Sequence, residues 1–163
     1  MKLEGNAEPG SEMRIVVRKS KRKLELLRGS HIVFEYDIAL GRVPEGDKTV
    51  EGDGKTPEGE YYIFGKNPKS NYHLGLGISY PNIEDAERGF QDGLLSEDER
   101  DLISAAIEAG KMPPQKTRLG GEIYIHGGGN NTDWTQGCVA LNDSEIDELY
   151  RSVILGTAVT ILP

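Results

Sequence analysis

Three short apolar runs near the start of the sequence constrain the fold most. They are MRIVVRKS, KLELLRG and HIVFEYDIAL, and Lys, Arg, Gly and Ser separate them at the spacing of β-hairpins. β-Branched residues of this kind favour strands over helices. The sequence therefore predicts a β-meander that opens the domain at Met13.

Strand-like segments recur along the rest of the chain. A loop that contains Gly, Asp and Pro precedes the strand-like segment YYIF at 61–64, and a second such segment, HLGLGISY, follows at 73–80. EIYIHG at 122–127 returns to the β pattern, and TAVTIL at 157–162 is predicted as the last strand. Strands therefore account for most of the predicted elements.

Helical segments are predicted in two places. IEDAERGF and SEDERDLISAAIEAG lack strand alternation, and Ser96 and Glu99 have the spacing of a capping box. A further helix is predicted from about Ser144 to Gly156. Its apolar face would carry Ile146, Leu149, Tyr150 and Val153. We therefore predict an α+β, mostly β domain of two packed sheets with helices at the rim.

Length and charge limit the number of domains and the partners. A chain of 163 residues can bury one sizeable core, so we expect one domain at 13–163 after a polar, disordered segment at 1–12. That segment has no apolar core of a signal peptide. The net charge of −8 disfavours nucleic acid, and every apolar run is far shorter than the roughly 20 residues that cross a bilayer. We expect a monomer without a membrane span.

Two other motifs fail for lack of a necessary residue. Gly54-Lys55-Thr56 resembles the end of a P-loop, but Thr49 stands where that motif needs glycine, and Pro57 disfavours the helix that should follow. The segment 126–129, His-Gly-Gly-Gly, resembles a lipase oxyanion loop, but the chain has no Gly-x-Ser-x-Gly nucleophile. The histidines and the cysteine lack metal-ligand spacing, so we expect no metal and no other cofactor.

The single cysteine lies in a segment that favours nucleophilic catalysis. A predicted strand ends at His126, and a Gly- and Asn-rich loop leads to Thr135-Gln136-Gly137-Cys138. A thiol attacks only as thiolate, so it needs a base or positive group that lowers its pKa, and His126 could supply that base. A lone cysteine is more often a buried apolar side chain, and such a loop can be merely flexible. The joint occurrence of these residues favours the catalytic interpretation.

This pattern resembles the YkuD family of L,D-transpeptidases, whose signature is His-Gly, a variable loop and Ser/Thr-x-Gly-Cys. The chain has His126-Gly127 and then Thr135 to Cys138 in these places. The stretch GDGKTPEGEY at 52–61 is similar to the family's upstream segment Gly-Asp-x-x-Thr-Pro-x-Gly-x-Tyr/Phe. The similarity covers most of 13–163 and implies a YkuD-like two-sheet β-sandwich with helices at the rim.

The resemblance also implies which residues form the site. Cys138 would be the nucleophile and His126 its base, with the imidazole oriented by the backbone carbonyl of Gly127. The amides of Gly137 and Cys138 would form the oxyanion hole. Thr135 would contact the substrate or stabilise the turn. His73, whose alternative is a plain strand residue, joins Gly128 and Trp134 as a candidate substrate contact.

The activity implied is acyl transfer on peptidoglycan stem peptides through a thioester at Cys138. An amine acceptor would make the protein an L,D-transpeptidase of cell-wall biogenesis and cell shape; water would make it an L,D-carboxypeptidase or amidase. A catalytically silent peptidoglycan-binding module on the same fold is the third alternative. A carbapenem would be a covalent inhibitor. The resemblance suggests the cell envelope or periplasm, although the sequence shows no signal peptide.

One position departs from the family pattern. Most members have arginine two residues after the cysteine, and this chain has Ala140. The Gly-Cys-x-Ala sequence resembles a YafK-like subgroup, some of whose members are linked to release of proteins from the wall. We expect Ala140 to leave space beside the thioester and so to favour water as the acceptor.

Overall fold

One curled β-sheet of eight strands organises residues 12–163. The computed structural model describes residues 12–163, so residues 1–11 of the predicted N-terminal segment lie outside the described part. The strands are β1 Met13–Arg18, β2 Lys23–Arg28, β3 His31–Asp37, β4 Gly59–Ser70, β5 His73–Ile78, β6 Tyr124–His126, β7 Val139–Ala140 and β8 Ala158–Leu162. Their order in the sheet is β3-β2-β1-β8-β4-β5-β6-β7.

The predicted opening meander is confirmed, because β1, β2 and β3 pair antiparallel in sequence order. The last strand, β8, runs parallel to β1 on its other side. Ile15 and Val17 of β1 and Val159 and Ile161 of β8 are all buried in the core. The two ends of the described chain are thus joined by a shared apolar face.

The long strand β4 connects the two halves of the sheet. Its first residues, Gly59 to Tyr62, pair with β8, and its later residues pair with β5. Beyond β5 lie β6, antiparallel to it, and β7, parallel to β6. The mostly β, α+β class is confirmed, and the two sheets expected from the sequence are halves of one continuous sheet that share β4.

In the described part of the chain, three helices and a one-turn 3-10 helix at Lys19–Lys21 complete the fold. They are α1 Ile83–Gln91, α2 Glu97–Glu108 and α3 Asp143–Ser152. The predicted capping box of α2 is confirmed, because the Ser96 hydroxyl accepts from the Glu99 amide and the Glu99 carboxylate accepts from the Ser96 amide. In the described residues 12–163, no helix combines the length and apolar character that crossing a bilayer requires.

The predicted end of α3 at Gly156 is wrong. The helix stops at Ser152, because Val153 turns to an extended conformation while its side chain stays buried. The Thr157 hydroxyl, which accepts from the Ile154 amide and donates to the Ile154 carbonyl, stabilises the turn that follows. Gly156 has a φ of +90° in this turn, a conformation that glycine adopts without strain.

Candidate active site

Two short parallel strands bring the cysteine and the histidine to one cleft. In the β6–β7 pair, Ile125 lies opposite Val139, and His126 lies opposite Ala140. Cys138 directly precedes β7, so it lies at the same edge of the sheet as His126. Both residues line a cleft of about 480 Å³.

The turn before Cys138 is held by a buried hydroxyl. Thr135 is 4% exposed, and its Oγ1 donates to the Cys138 carbonyl at 2.8 Å and accepts from the Gly137 amide at 3.1 Å. Gly137 has a φ of +136°, and a Cβ there would lie 2.8 Å from the Lys55 carbonyl oxygen. The turn therefore requires glycine at 137, and the contacts of Thr135 are those of a turn-stabilising residue.

The imidazole of His126 is oriented by a backbone carbonyl. Its Nδ1 lies 2.6 Å from the Gly127 oxygen. A carbonyl oxygen only accepts, so Nδ1 carries the proton and Nε2 has a free lone pair. Burial lowers the pKa of His126, and the bond to Gly127 opposes that shift. A neutral imidazole with a free Nε2 is suited to act as a base.

Two aromatic rings enclose His126. The Tyr72 ring stacks on the imidazole, and the Trp134 ring meets it edge-on at 5.6 Å. Tyr72 and Trp134 also contact each other, with centroids 5.1 Å apart. The Tyr72 carbonyl accepts from the Gly127 amide at 2.9 Å, which holds the loop that orients the imidazole.

The surroundings of Cys138 favour its protonated thiol over the thiolate. Burial raises the pKa of Cys138 to about 11, although the Tyr124 amide and the charge of Lys48 act in the opposite direction. The Tyr124 amide donates to Sγ at 3.3 Å, and the thiol donates to the Glu122 carbonyl at 3.5 Å. The lowered thiol pKa expected from the sequence is therefore not found in this state.

The two amides expected to form the oxyanion hole differ in their availability. The Gly137 amide already donates to Thr135 Oγ1. Within residues 12–163, no acceptor is hydrogen-bonded to the Cys138 amide. Only the Cys138 amide is thus available to an incoming oxyanion without a change in the turn.

A second cleft reaches Cys138 from another side. Its volume is about 410 Å³, and Lys48 and Gln136 line it together with Cys138. The wall between the two clefts comes from Gln115, Lys116 and Glu122, which line both. The Gln115 side chain accepts from the Glu122 amide at 2.6 Å, and the Lys116 ammonium contacts the Glu122 carboxylate at 3.0 Å.

The remaining predicted contact residues lie around the first cleft rather than in it. His73, with a φ of +80°, directs Nε2 to Asp147 of α3 at 2.6 Å and does not line either cleft. Gly128 and Trp134 line a shallow depression of about 320 Å³ that borders Tyr72. The Gly128 amide donates to a carboxylate of α3, and the Trp134 Nε1 donates to the Gly129 carbonyl.

Ala140 does not open space beside the thiol. It is 0% exposed, its backbone pairs with Ala39 on one side and His126 on the other, and it lines neither cleft. The expected space for water at Ala140 is not found, because its side chain is fully buried; the preference for water as the acceptor stays a prediction.

Three residues of this site were not predicted from the sequence: Tyr72, Tyr124 and Lys48. Tyr72 directly precedes the predicted strand at 73–80, so strand alternation could have placed it on the face opposite His73. The part of Tyr124 closest to the thiol is its backbone amide, which no residue type reveals. Lys48 lies in a loop without periodicity, so the sequence gave no signal of its burial.

Comparisons with known proteins agree with this fold. A mutant of the helical cell shape determining protein Pgp2 from Campylobacter jejuni is 25% identical and has a TM-score of 0.64, with 91% of this chain and 46% of that chain covered. Bd1075 from Bdellovibrio bacteriovorus is 23% identical with a TM-score of 0.61, covering 96% of this chain and 50% of that one. An L,D-transpeptidase from Mycobacterium smegmatis is 10% identical with a TM-score of 0.56, and the match covers 93% of this chain and 59% of that one. No curated protein sequence matches the chain.

The curled sheet brings a cysteine and a histidine to one cleft, and this fold is shared with solved L,D-transpeptidases. The sequence model of the YkuD family, described as the L,D-transpeptidase catalytic domain, matches residues 12–161. The chain belongs to this family, and the match supports a function related to peptidoglycan. It spans about half the length of the Pgp2 and Bd1075 chains.

Proposed function

We propose that this domain catalyses acyl transfer on peptidoglycan stem peptides, with Cys138 as nucleophile and His126 as base. The observation that carries the proposal is the shared cleft, in which Nε2 of His126 is free because Nδ1 is bonded to the Gly127 carbonyl. A nucleophile and a base whose tautomer is set by a third group are the usual parts of covalent catalysis.

The first half of the reaction forms a thioester. Sγ of Cys138 attacks the carbonyl at the L-centre of the diaminopimelate to D-residue bond, and Nε2 of His126 takes the thiol proton. The carbon–nitrogen bond then breaks, and the same proton passes from Nε2 to the leaving amine. Because the raised pKa keeps the resting thiol protonated, proton removal accompanies attack rather than preceding it.

The second half regenerates the thiol. An amine of another stem peptide attacks the thioester, and Nε2 of His126 accepts a proton from that amine. The carbon–sulfur bond then breaks, and Nε2 passes this proton to the sulfur of Cys138. Two open clefts meet at Cys138, which supports a transpeptidase, because an acyl donor and an acceptor can approach from different sides. Water entering the same clefts would make the enzyme an L,D-carboxypeptidase or amidase.

The amide of Cys138 is the proposed oxyanion donor. Gly137 contributes a second donor only if its amide leaves Thr135 Oγ1 as the oxyanion forms. Loss of one such donor typically costs about 3 kcal/mol of transition-state stabilisation. The turn from Thr135 to Cys138 is therefore part of the proposed catalytic machinery, and Thr135 stabilises it.

A second candidate function is a catalytically silent peptidoglycan-binding module. The observation that favours it is the resting state of the site, in which burial raises the thiol pKa to about 11 and the Gly137 amide is occupied. Such a module would retain the clefts and bind stem peptides without forming a thioester.

Incubation with purified tetrapeptide muropeptides, followed by mass analysis, tests these alternatives. Cross-linked dimers establish a transpeptidase, and shortened stems with no dimers establish a hydrolase. The variant Cys138→Ala must abolish either product. Unchanged muropeptides, together with retained binding to isolated peptidoglycan, would leave only the silent module.

We place the protein in the cell envelope, and the Pgp2 comparison extends the proposal to a role in cell shape.

A further inference from the structure

The second cleft contains a buried cation. Lys48 is 3% exposed and lines this cleft beside Cys138. Lysine is rarely buried unless its charge is paired, because removing an ammonium from water is costly. The side chain contacts Asp53 Oδ1 at 3.1 Å and the Val50 carbonyl at 3.3 Å.

These contacts leave donor capacity at Lys48. An ammonium has three donors, and residues 12–163 provide two oxygen acceptors for it, while the centroid of the Tyr80 ring lies 6.0 Å from Nζ. Its partner Asp53 also accepts from the amides of Thr49, Val50 and Lys55. Asp53 is thus held by four donors, and Lys48 keeps one donor that no oxygen of residues 12–163 accepts.

Few other cations face the two clefts. Of the described residues that line them, the lysines are Lys48 and Lys116, and the ammonium of Lys116 is exposed and contacts Glu122. Ala140 occupies the position at which the resemblance predicts arginine. Of these two cations, Lys48 is the buried one, so an anionic group of a bound peptide would interact more strongly with Lys48 than with Lys116.

We propose that Lys48 forms a carboxylate-binding subsite in the second cleft, which holds a free α-carboxylate of the stem peptide beside Cys138. The proposal rests on the proposed function for the identity of the peptide. Two carboxylates on the residues that form the scissile bond have this chemistry: that of the C-terminal D-residue, and that on the side chain of diaminopimelate. The experiment distinguishes them.

The experiment measures binding to the Cys138→Ala protein, which separates recognition from turnover. The probes are the free tetrapeptide, its C-terminal carboxamide, and the tetrapeptide amidated on the diaminopimelate side chain. The free tetrapeptide is expected to bind about tenfold more tightly than one of the two amides, and that amide identifies the carboxylate concerned. Equal affinity for all three peptides overturns the proposal.

Two further variants, each made in this protein, locate the effect. Lys48→Gln should lower affinity for the free tetrapeptide to that of the discriminating amide while leaving the affinity for that amide unchanged. Lys116→Gln removes the same charge from the rim and should keep the preference. If Lys48→Gln does not fold, Lys48→Arg replaces it and should retain the preference. Retention of the preference in a folded Lys48→Gln protein, or its loss in Lys116→Gln, contradicts the proposal.

The result of this binding experiment does not depend on whether the protein catalyses acyl transfer. If wild-type protein produces neither dimers nor shortened stems while the binding preference depends on Lys48, the proposed catalysis fails and the subsite stands. If turnover occurs without any preference for the free carboxylate, the subsite fails and the catalysis stands.

Discussion

The ring of Tyr72 lies against the imidazole of His126, with centroids 4.6 Å apart and planes inclined by 24°. Tyr72 is 45% exposed, whereas His126 is 4% exposed, so the tyrosine is the cover that separates the histidine from solvent on this side. The same residue accepts the Gly127 amide through its carbonyl. Tyr72 thus positions the base by both its ring and its backbone.

Replacement of Tyr72 by alanine should therefore slow turnover by about tenfold, because the imidazole loses a packing surface that fixes its orientation. Burial lowers the pKa of His126, so exposing the ring raises that pKa toward its ordinary value. The acidic limb of the kcat/KM profile should move to higher pH. Tyr72→Phe keeps the stacked ring and should retain the wild-type profile. An unshifted profile in Tyr72→Ala would show that another group covers His126.

Substitution of Thr135 by valine should destabilise the fold by about 2 kcal/mol, because the Gly137 amide and the Cys138 carbonyl lose a buried partner. Thr135→Ser keeps the hydroxyl and is the matched control. Urea unfolding measures stability, and steady-state kinetics measure activity. A higher KM with unchanged stability would instead favour a substrate contact.

The alkylation of Cys138 by iodoacetamide should be slow at neutral pH. A thiol with a pKa of about 11 has on the order of a hundredfold less thiolate at pH 8 than an ordinary cysteine. The rate should keep rising above pH 9, and Cys138→Ala is the blank. A rate that levels off below pH 8.5 would contradict the raised pKa and indicate an ion pair with His126.

A carbapenem should acylate Cys138, because a strained acyl donor needs the same nucleophile and base as a stem peptide. Intact mass should rise by one drug mass in the wild type and stay unchanged in Cys138→Ala. Lys48→Gln should still react if the subsite serves only peptide carboxylates. Absence of any adduct in the wild type would favour the silent module.

Replacement of Ala140 by arginine should destabilise the fold. We expect this loss of stability before any change in whether an amine or water attacks the thioester. The site is fully buried between two backbone segments, so a guanidinium there would be overpacked and desolvated at a cost of about 3 kcal/mol or more. Ala140→Gly adds no atoms and should remain folded. Urea unfolding compares the variants, and wild-type stability in Ala140→Arg would show that the cleft accommodates the side chain.

Short-range patterns predicted much of the fold. The strands before Asp37 follow from β-branched runs and turn residues, and the start of α2 follows from Ser96 and Glu99. The end of α3 did not follow, because its apolar periodicity continues to Val153, whereas the backbone turns at Ser152. The turn depends on Thr157, whose hydroxyl bonds lie outside the helical pattern.

The catalytic candidates could be identified from residue type and spacing. A cysteine that follows Thr-x-Gly and a histidine that precedes Gly are local features of the chain. Their surroundings could not be identified in this way. Tyr72 meets His126 only because β5 pairs with β6, and Lys48 reaches Cys138 only because a loop distant in sequence packs against the same turn. Local sequence sets backbone preferences and the kinds of chemistry available. Burial and the state of the thiol arise from contacts between distant segments, which form only when the sheet closes.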